Sequence, residues 1–319
     1  MRKALSLAVK AAVSGLLLYF ALNLVNIETV AGRLSRIDPA WVALELLVLL
    51  VQTFFLALRW GQIVIACGAS LPLTRLFRFS LIAVFFSQTL PSSVGGDAMR
   101  IWLLGKQTDW RVAAYSVFLD RVMGVFALAT LVVVCLPWSF ELVRNPVGRS
   151  ALLVIGLGSI VAALVFIGLA WDRLRILQRW SPTRHLAAMA TVAVTIARSR
   201  RALAPIFMLS ITIHLFTAVA AWCAARSVGA NLSLLNSLLL VLPVVLVTIV
   251  PISIAGWGVR EGAMVAAFAY ADLPQSDGLI VSLLFGAGFL VLGMIGGLVW
   301  ILTNERRESG PAPGVIGQE

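Results

Sequence analysis

Six charged residues, Asp97, Arg100, Asp120, Arg121, Arg260 and Glu261, sit in or beside stretches apolar enough to lie inside a membrane. A charge at the bilayer centre costs a few kcal/mol even on the mildest scale, so such residues turn inward and find partners. Two of the arginines follow breaks in the apolar pattern. The stretch "LPSSVGGDAMR" runs from Leu90 to Arg100, and "VPISIAGWGVRE" from Val250 to Glu261. Pro91 and Pro251 stop one helical limb, and the glycines allow the turn into the next. A half-helix that begins there exposes unpaired N–H groups and the positive end of its dipole, which attract anions. Arginine about one turn in adds a fork that holds phosphate at two points. Ser93, Gly95, Gly96, Ser253 and Gly256 complete a hydroxyl- and backbone-lined anion site. Asp97, Asp120 and Glu261 balance its charge or meet a cationic part of the same ligand. Asp97 and Arg100, three residues apart, share a helix face and pair when the site is empty. Asp120 and Arg121 are adjacent and must look to different partners.

Two other readings of these residues stand beside anion binding. Structural ion pairs that fix helix packing would account for Asp120, and also for Glu45 near the start of the second apolar run. Acid–base work by Asp97 or Asp120 would make a membrane-embedded transferase. Nothing else in the chain serves catalysis, so the expectation is a protein that is not an enzyme and takes no cofactor or metal. His185 and His214 are too few and too far apart for a metal site. Cys67, Cys135 and Cys223 are isolated in apolar surroundings, with no CxxC. No GxxxxGK[ST] occurs in any polar segment.

The elements that position these residues are membrane helices. Hydrophobic residues make up 61% of the 319, charged residues 12%, and the mean hydropathy is +0.99. A soluble domain carries roughly twice that share of charge. The expected fold is an all-α polytopic membrane protein. Full-length apolar runs lie at about 5–25, 40–58, 112–136, 150–171, 203–225 and 278–302. Each is near the roughly 20 residues needed to span a bilayer. Two more apolar regions, Phe77 to Leu104 and Leu234 to Ala271, are broken near their middles.

The two breaks match. Pro91-x-Ser93-Val94-x-Gly96-x-x-x-Arg100 recurs as Pro251-x-Ser253-Ile254-x-Gly256-x-x-x-Arg260, 160 residues on. Upstream, Gly68-Ala-Ser-Leu-Pro-Leu73 is echoed 161 residues on by Gly229-Ala-Asn-Leu-Ser-Leu234. Two matches in one order at one offset indicate an internal duplication. Six full spans plus two re-entrant hairpins give each half an odd number of crossings, so the repeats are inverted and the hairpins enter from opposite faces. Residues 1–149 form the first repeat and 150–303 the second, with a cytoplasmic connector at 172–202. Residues 304–319 form a disordered cytoplasmic tail. Counting the broken regions as full spans instead gives eight crossings.

The net charge of +11 follows the membrane rather than nucleic acid. With the N-terminus inside, the cytoplasmic segments hold Arg2, Lys3, Arg59, Arg75, Arg78, Lys106, Arg111 and the run of arginines from Arg173 to Arg201. The outer segments hold Arg33, Arg36, Arg144, Arg149 and Arg226 beside five acids. That bias is the positive-inside pattern. It places both termini in the cytoplasm, with the first apolar run an uncleaved helix.

The combination of "LPSSVGGDAMRIWLL", "AAYSVFLDRVMGVFAL" from Ala113 to Leu128 and "VPISIAGWGVREGA" from Val250 to Ala263 resembles the flippase-like transmembrane region of the lysylphosphatidylglycerol synthase family. The resemblance runs from about residue 5 to residue 303. It implies a bacterial inner-membrane protein that moves a lipid with a polar, phosphate-bearing head group between leaflets. It puts family importance on Pro91, Ser93, Gly95, Gly96, Asp97, Arg100, Asp120, Arg121, Pro251, Ser253, Gly256, Arg260 and Glu261. Two-domain members follow this region with an aminoacyl-transferase. The chain ends at Glu319, so lysyltransferase activity is not expected. The partners implied are membrane lipids, with a lipid-modifying enzyme as the protein partner such a chain would serve. A non-transporting accessory subunit of a lipid-modifying complex is the alternative.

Overall fold

The computed structural model describes residues 12, 14–16, 18–25, 27–89, 94–168, 193, 199–249, 253, 256–303 and 305. Residues 5–11, 13 and 17 of the first apolar run, most of the 172–202 connector, all of the tail except Glu305, and Pro91, Ser93 and Pro251 lie outside the described residues. The described residues form helices joined by turns and short irregular segments, with no strand among them.

Ten helices among the described residues from Ile27 onward are numbered in chain order. They are α1 (Ile27–Leu34), α2 (Pro39–Ala66), α3 (Leu73–Thr89), α4 (Gly95–Gly105), α5 (Trp110–Leu142), α6 (Pro146–Gly168), α7 (Arg200–Ser227), α8 (Leu234–Thr248), α9 (Val259–Tyr270) and α10 (Gln275–Leu302). Among the described residues, α2, α5, α7 and α10 are long and apolar enough to cross a membrane. The 28 residues of α2 extend about 42 Å at 1.5 Å per residue. The four limbs of the broken regions have 17, 11, 15 and 12 residues, about 16–26 Å each on the same rise. None of these limbs reaches a hydrocarbon thickness of about 30 Å.

Local chemistry sets the boundaries. Asp38 caps α2 by accepting from the Ala40 N–H at 2.9 Å, with Pro39 in the first turn. Asp109 caps α5 through the Arg111 N–H, and Ser233 caps α8 through the Asn236 N–H. The two echoed glycine stretches are one and the same device. Gly68 and Gly229 take φ of 91° and 67°, the left-handed region that glycine enters freely. The Ala69 N–H then donates to Val64 O, and Ala230 N–H to Ala225 O, closing matching Schellman ends on α2 and α7.

The order long helix, two short limbs, long helix therefore occurs twice, as α2–α5 and α7–α10. The first members, α2 and α7, pack along their length. Arg59 reaches Ser210 at 3.1 Å and Gln52 reaches Thr217 at 2.8 Å. Seven residues forward on one helix match seven backward on the other, so these counterparts run antiparallel, as an inverted repeat requires. The exchange extends further: α3 packs on α10, and its counterpart α8 packs on α5.

Both broken regions return to the end they entered. Arg75 at the start of α3 donates to Gln107 just after α4, at 3.0 Å. Arg78 and Lys106 both reach Glu305 beyond α10, so all these groups share one basic end of the bundle. At the opposite end the Asp38 N–H donates to Ser227 O at the close of α7, and Arg33 pairs with Asp277 at the start of α10 at 2.7 Å. The α8–α9 hairpin enters and leaves there. Among the described residues, the two hairpins thus start and end at opposite ends of the bundle.

Candidate functional site

The first hairpin starts its return limb with Gly95 and Gly96. Gly96 is needed for helix packing: a Cβ there would lie 2.5 Å from Ala83 O and collide with Ser87 Oγ. Glycine thus lets α4 lie against α3, and the close backbone approach expected for a ligand is taken up by the neighbouring limb. Val94 at the N-cap carries no oxygen to cap the helix, and Asp97 is the acid in its first turn.

From this start, Arg100 points into a buried chain of charges. Its Nη2 meets Asp120 Oδ2 at 2.8 Å, and its Nη1 lies 3.7 Å from Asp97 Oδ1. The other Asp120 oxygen takes Arg59 Nε at 2.8 Å. Asp97 Oδ2 takes Arg121 Nε at 2.6 Å. The order is Arg59–Asp120–Arg100–Asp97–Arg121. Asp97 and Arg100 pair as their spacing predicts, and the adjacent Asp120 and Arg121 do face different partners. The Arg100 guanidinium carbon lies over the Trp60 ring, 4.1 Å from its centroid, and the indole N–H of Trp60 donates to Ser116. Gly124 leaves room for the Arg59 guanidinium, since a Cβ would meet Nη1 at 3.0 Å.

Three arginines share two carboxylates in this chain. One end is closed and the other open. Arg59 and Asp120 are buried, whereas the Arg121 side chain is 44% exposed and Asp97 15%. Arg100 Nε is buried without a hydrogen-bond partner. The exposed end of the chain is the Asp97–Arg121 side.

The second hairpin is organised differently. Gly256 and Gly258 have φ of 80° and 84°, a left-handed turn ahead of α9. Glu261 folds back to accept the Gly258 N–H at 2.6 Å, so the negative charge at this helix N-terminus is the chain's own. Its other oxygen takes Arg260 Nη2 at 2.7 Å and the Ser282 hydroxyl at 3.0 Å. Arg260 lies over Trp257 and against Gly286 of α10, where a side chain would strike the guanidinium. This pair is charge-neutral and buried. Ser253 is also buried.

Among the described residues, Arg100 and Arg260 sit on separate carboxylates, Asp120 and Glu261. An apolar cavity of about 180 Å³ lies between α5, α6, α8 and α9, lined by residues such as Leu152, Pro243, Ala263 and Tyr270. None of the charged residues borders it.

Three residues escaped the sequence reading or were misplaced by it. Arg59, just past the apolar run that ends at residue 58, reads from the sequence as part of a cytoplasmic segment. It is 4% exposed, and α2 continues to Ala66. The signal was the apolar stretch Ile63–Ala66 beyond it, which keeps the helix going. Ser282, the hydroxyl on Glu261, had no signal. Glu45 was expected to form a structural ion pair and forms none among the described residues. No group of three or more His, Cys, Asp or Glu among the described residues could hold a metal ion.

No curated protein matches this chain. The family model described as the lysylphosphatidylglycerol synthase TM region matches residues 7–297, which contain both hairpins and every residue of the two charge clusters. The chain is a member of the lysylphosphatidylglycerol synthase TM-region family.

Proposed function

We propose that this protein is a lipid translocase of the bacterial inner membrane, moving a lipid with a phosphate-bearing head group between leaflets without covalent change. The observation that carries the reading is the Arg59–Asp120–Arg100–Asp97–Arg121 chain, in which three arginines share two carboxylates. It lies at the start of a half-helix in a re-entrant hairpin. A head-group phosphate that displaces Asp97 would gain the fork of Arg121, the outer face of Arg100 and the first-turn N–H groups of α4. Asp97 then acts as the stand-in anion of the empty site. The hairpins inserted from opposite ends support an inverted-repeat transporter, in which such broken helices meet the substrate. A family named for the membrane region of a phospholipid synthase supports a lipid as the cargo.

The test is head-group translocation in liposomes containing the purified protein and a trace of fluorescent phosphatidylglycerol, read by a membrane-impermeant quencher. Arg100→Gln and Arg121→Gln are expected to abolish or strongly slow it while thermal unfolding shows a folded protein. Translocation at the wild-type rate in both variants would sink the assignment. Mass spectrometry of the same lipid after incubation exposes a transferase if its mass changes. An inactive wild type would leave the accessory-subunit reading.

A further inference from the structure

Glu45 stands apart from every charge described above. It lies about 9 Å into α2, is 2% exposed, and its Oε1 has no hydrogen-bond partner. Gly288 of α10 is pressed against it: a Cβ on that glycine would fall 2.9 Å from Glu45 Oε1 and 2.8 Å from Leu49 Cδ1. The titratable group that faces it from α7 is Cys223. The charged groups of the neighbouring helices are engaged elsewhere. On α10, Asp277 is held by Arg33; on α7, Arg226 lies over Trp41. His214 of α7 is bonded to Gly124 O, near Arg59. Arg75 and Arg78 of α3 and Asp120 of α5 belong to the opposite end or to the charge chain. No cation lies within ion-pair distance of Glu45 among the described residues.

An ionised carboxylate in such a place is far costlier than the neutral acid, because nothing replaces its hydration. The close seat of α10 on α2 at Gly288 is therefore compatible with the protonated side chain and not with the ionised one. Two residues away on α10, Gly286 carries the Arg260 guanidinium. Fourteen residues along α2, on the same face, Arg59 holds Asp120. Gln52, midway between them on that face, binds Thr217 of α7. One helix thus links Glu45 to the first charge cluster, and the other links it to the second.

We infer that Glu45 is a proton-binding site whose loss of a proton loosens α10 from α2 and so couples proton movement to rearrangement of the two arginine clusters. The coupling half rests on the translocase reading; proton binding at Glu45 does not.

The experiment therefore has two arms on the full-length protein in phosphatidylglycerol–phosphatidylcholine liposomes. In the first, dicyclohexylcarbodiimide, which adds to protonated carboxyl groups in apolar surroundings, is applied over a pH series. Peptide mass spectrometry is expected to find the adduct at Glu45, declining as pH rises and lost in Glu45→Gln. No adduct at Glu45 at any pH overturns proton binding. In the second arm, translocation of fluorescent phosphatidylglycerol is measured over the same series. The wild type is expected to change rate with pH and Glu45→Gln to lose that dependence, with Glu45→Asp restoring it at a shifted midpoint. A variant that keeps the wild-type pH profile overturns the coupling. A wild type that labels at Glu45 and translocates nothing overturns the translocase reading and the coupling together, and leaves the proton site standing.

Discussion

Arg59 and Asp120 are 61 residues apart in the chain, and the Nε of one lies 2.8 Å from Oδ1 of the other. Neither has appreciable solvent exposure. The contact ties α2 to α5, and because Asp120 also holds Arg100, it anchors the return limb of the first hairpin to both long helices. Removing one partner from a buried pair is costly because the remaining charge is left without compensation.

Asp120→Asn leaves two buried guanidinium groups facing a neutral amide, and is expected to destabilise by about 3–5 kcal/mol. Arg59→Gln is expected to cost less, about 1.5–3 kcal/mol, because Asp120 keeps Arg100. Thermal unfolding of both variants in detergent ranks them. The reverse order would show that Arg59, rather than Asp120, is the centre of the chain.

The second cluster yields a parallel ranking. Glu261 neutralises Arg260 and caps α9, whereas Ser282 contributes one hydrogen bond to each of them. Glu261→Gln is expected to lose about 3–5 kcal/mol, and Ser282→Ala about 1 kcal/mol. Equal losses would mean that the pair is solvated in a way its burial contradicts.

Two glycines hold α3 between α4 and α10. A Cβ at Gly96 meets Ala83 O, and one at Gly296 meets Leu81 O, both backbone atoms that a rotamer change cannot move. Gly96→Ala and Gly296→Ala are each expected to destabilise by about 1–3 kcal/mol. Gly262 of α9 has nothing within 4 Å of its added Cβ, so Gly262→Ala is expected to be neutral or to gain up to about 1 kcal/mol. Unfolding midpoints measured side by side decide the matter.

Asp97 competes with any anion for Arg121 and Arg100. Asp97→Asn should therefore tighten retention of phosphatidylglycerol, on the order of tenfold, which equals about 1.4 kcal/mol. Arg121→Gln should weaken it. Native mass spectrometry of the purified proteins reads retained lipid directly. Unchanged retention in both variants would remove the Asp97–Arg121 side as the point of entry.

The hairpin topology can be tested from outside the protein. With Cys67, Cys135 and Cys223 replaced, single cysteines at Arg75 and Gln107 should label from one face of the membrane. Cysteines at Arg226 and Asp272 should label from the other. Labelling of positions 75 and 107 from opposite faces would restore the full-span count for the first broken region.

Much of the architecture was legible because it depends on local chemistry. Gly68 and Gly229, in the two echoed stretches, end their helices in the left-handed region, and Gly256 turns the same way at the second break, since a positive φ acts wherever it stands. Asp97 and Arg100 read as a pair because they are one helical turn apart. The role of Glu261 was half legible. Its position three residues after Gly258 fits a capping box, but its charge was assigned to a ligand site rather than to its own helix.

By itself, the sequence determined that this chain is a polytopic helical protein with two matched interruptions, each followed by an acid and an arginine. Hydropathy, turn residues and spacing are properties of short stretches, and they suffice for that. Only the tertiary structure decided that Arg59 is buried, that Asp120 is shared by two arginines, that Arg100 and Arg260 sit on separate carboxylates, and that Glu45 has no counter-charge among the described residues. Periodicity states which way a residue faces along its own helix. Which charge it meets depends on the helices that pack beside it, and an ion pair of less than 4 Å between residues 61 apart has no trace in either local pattern.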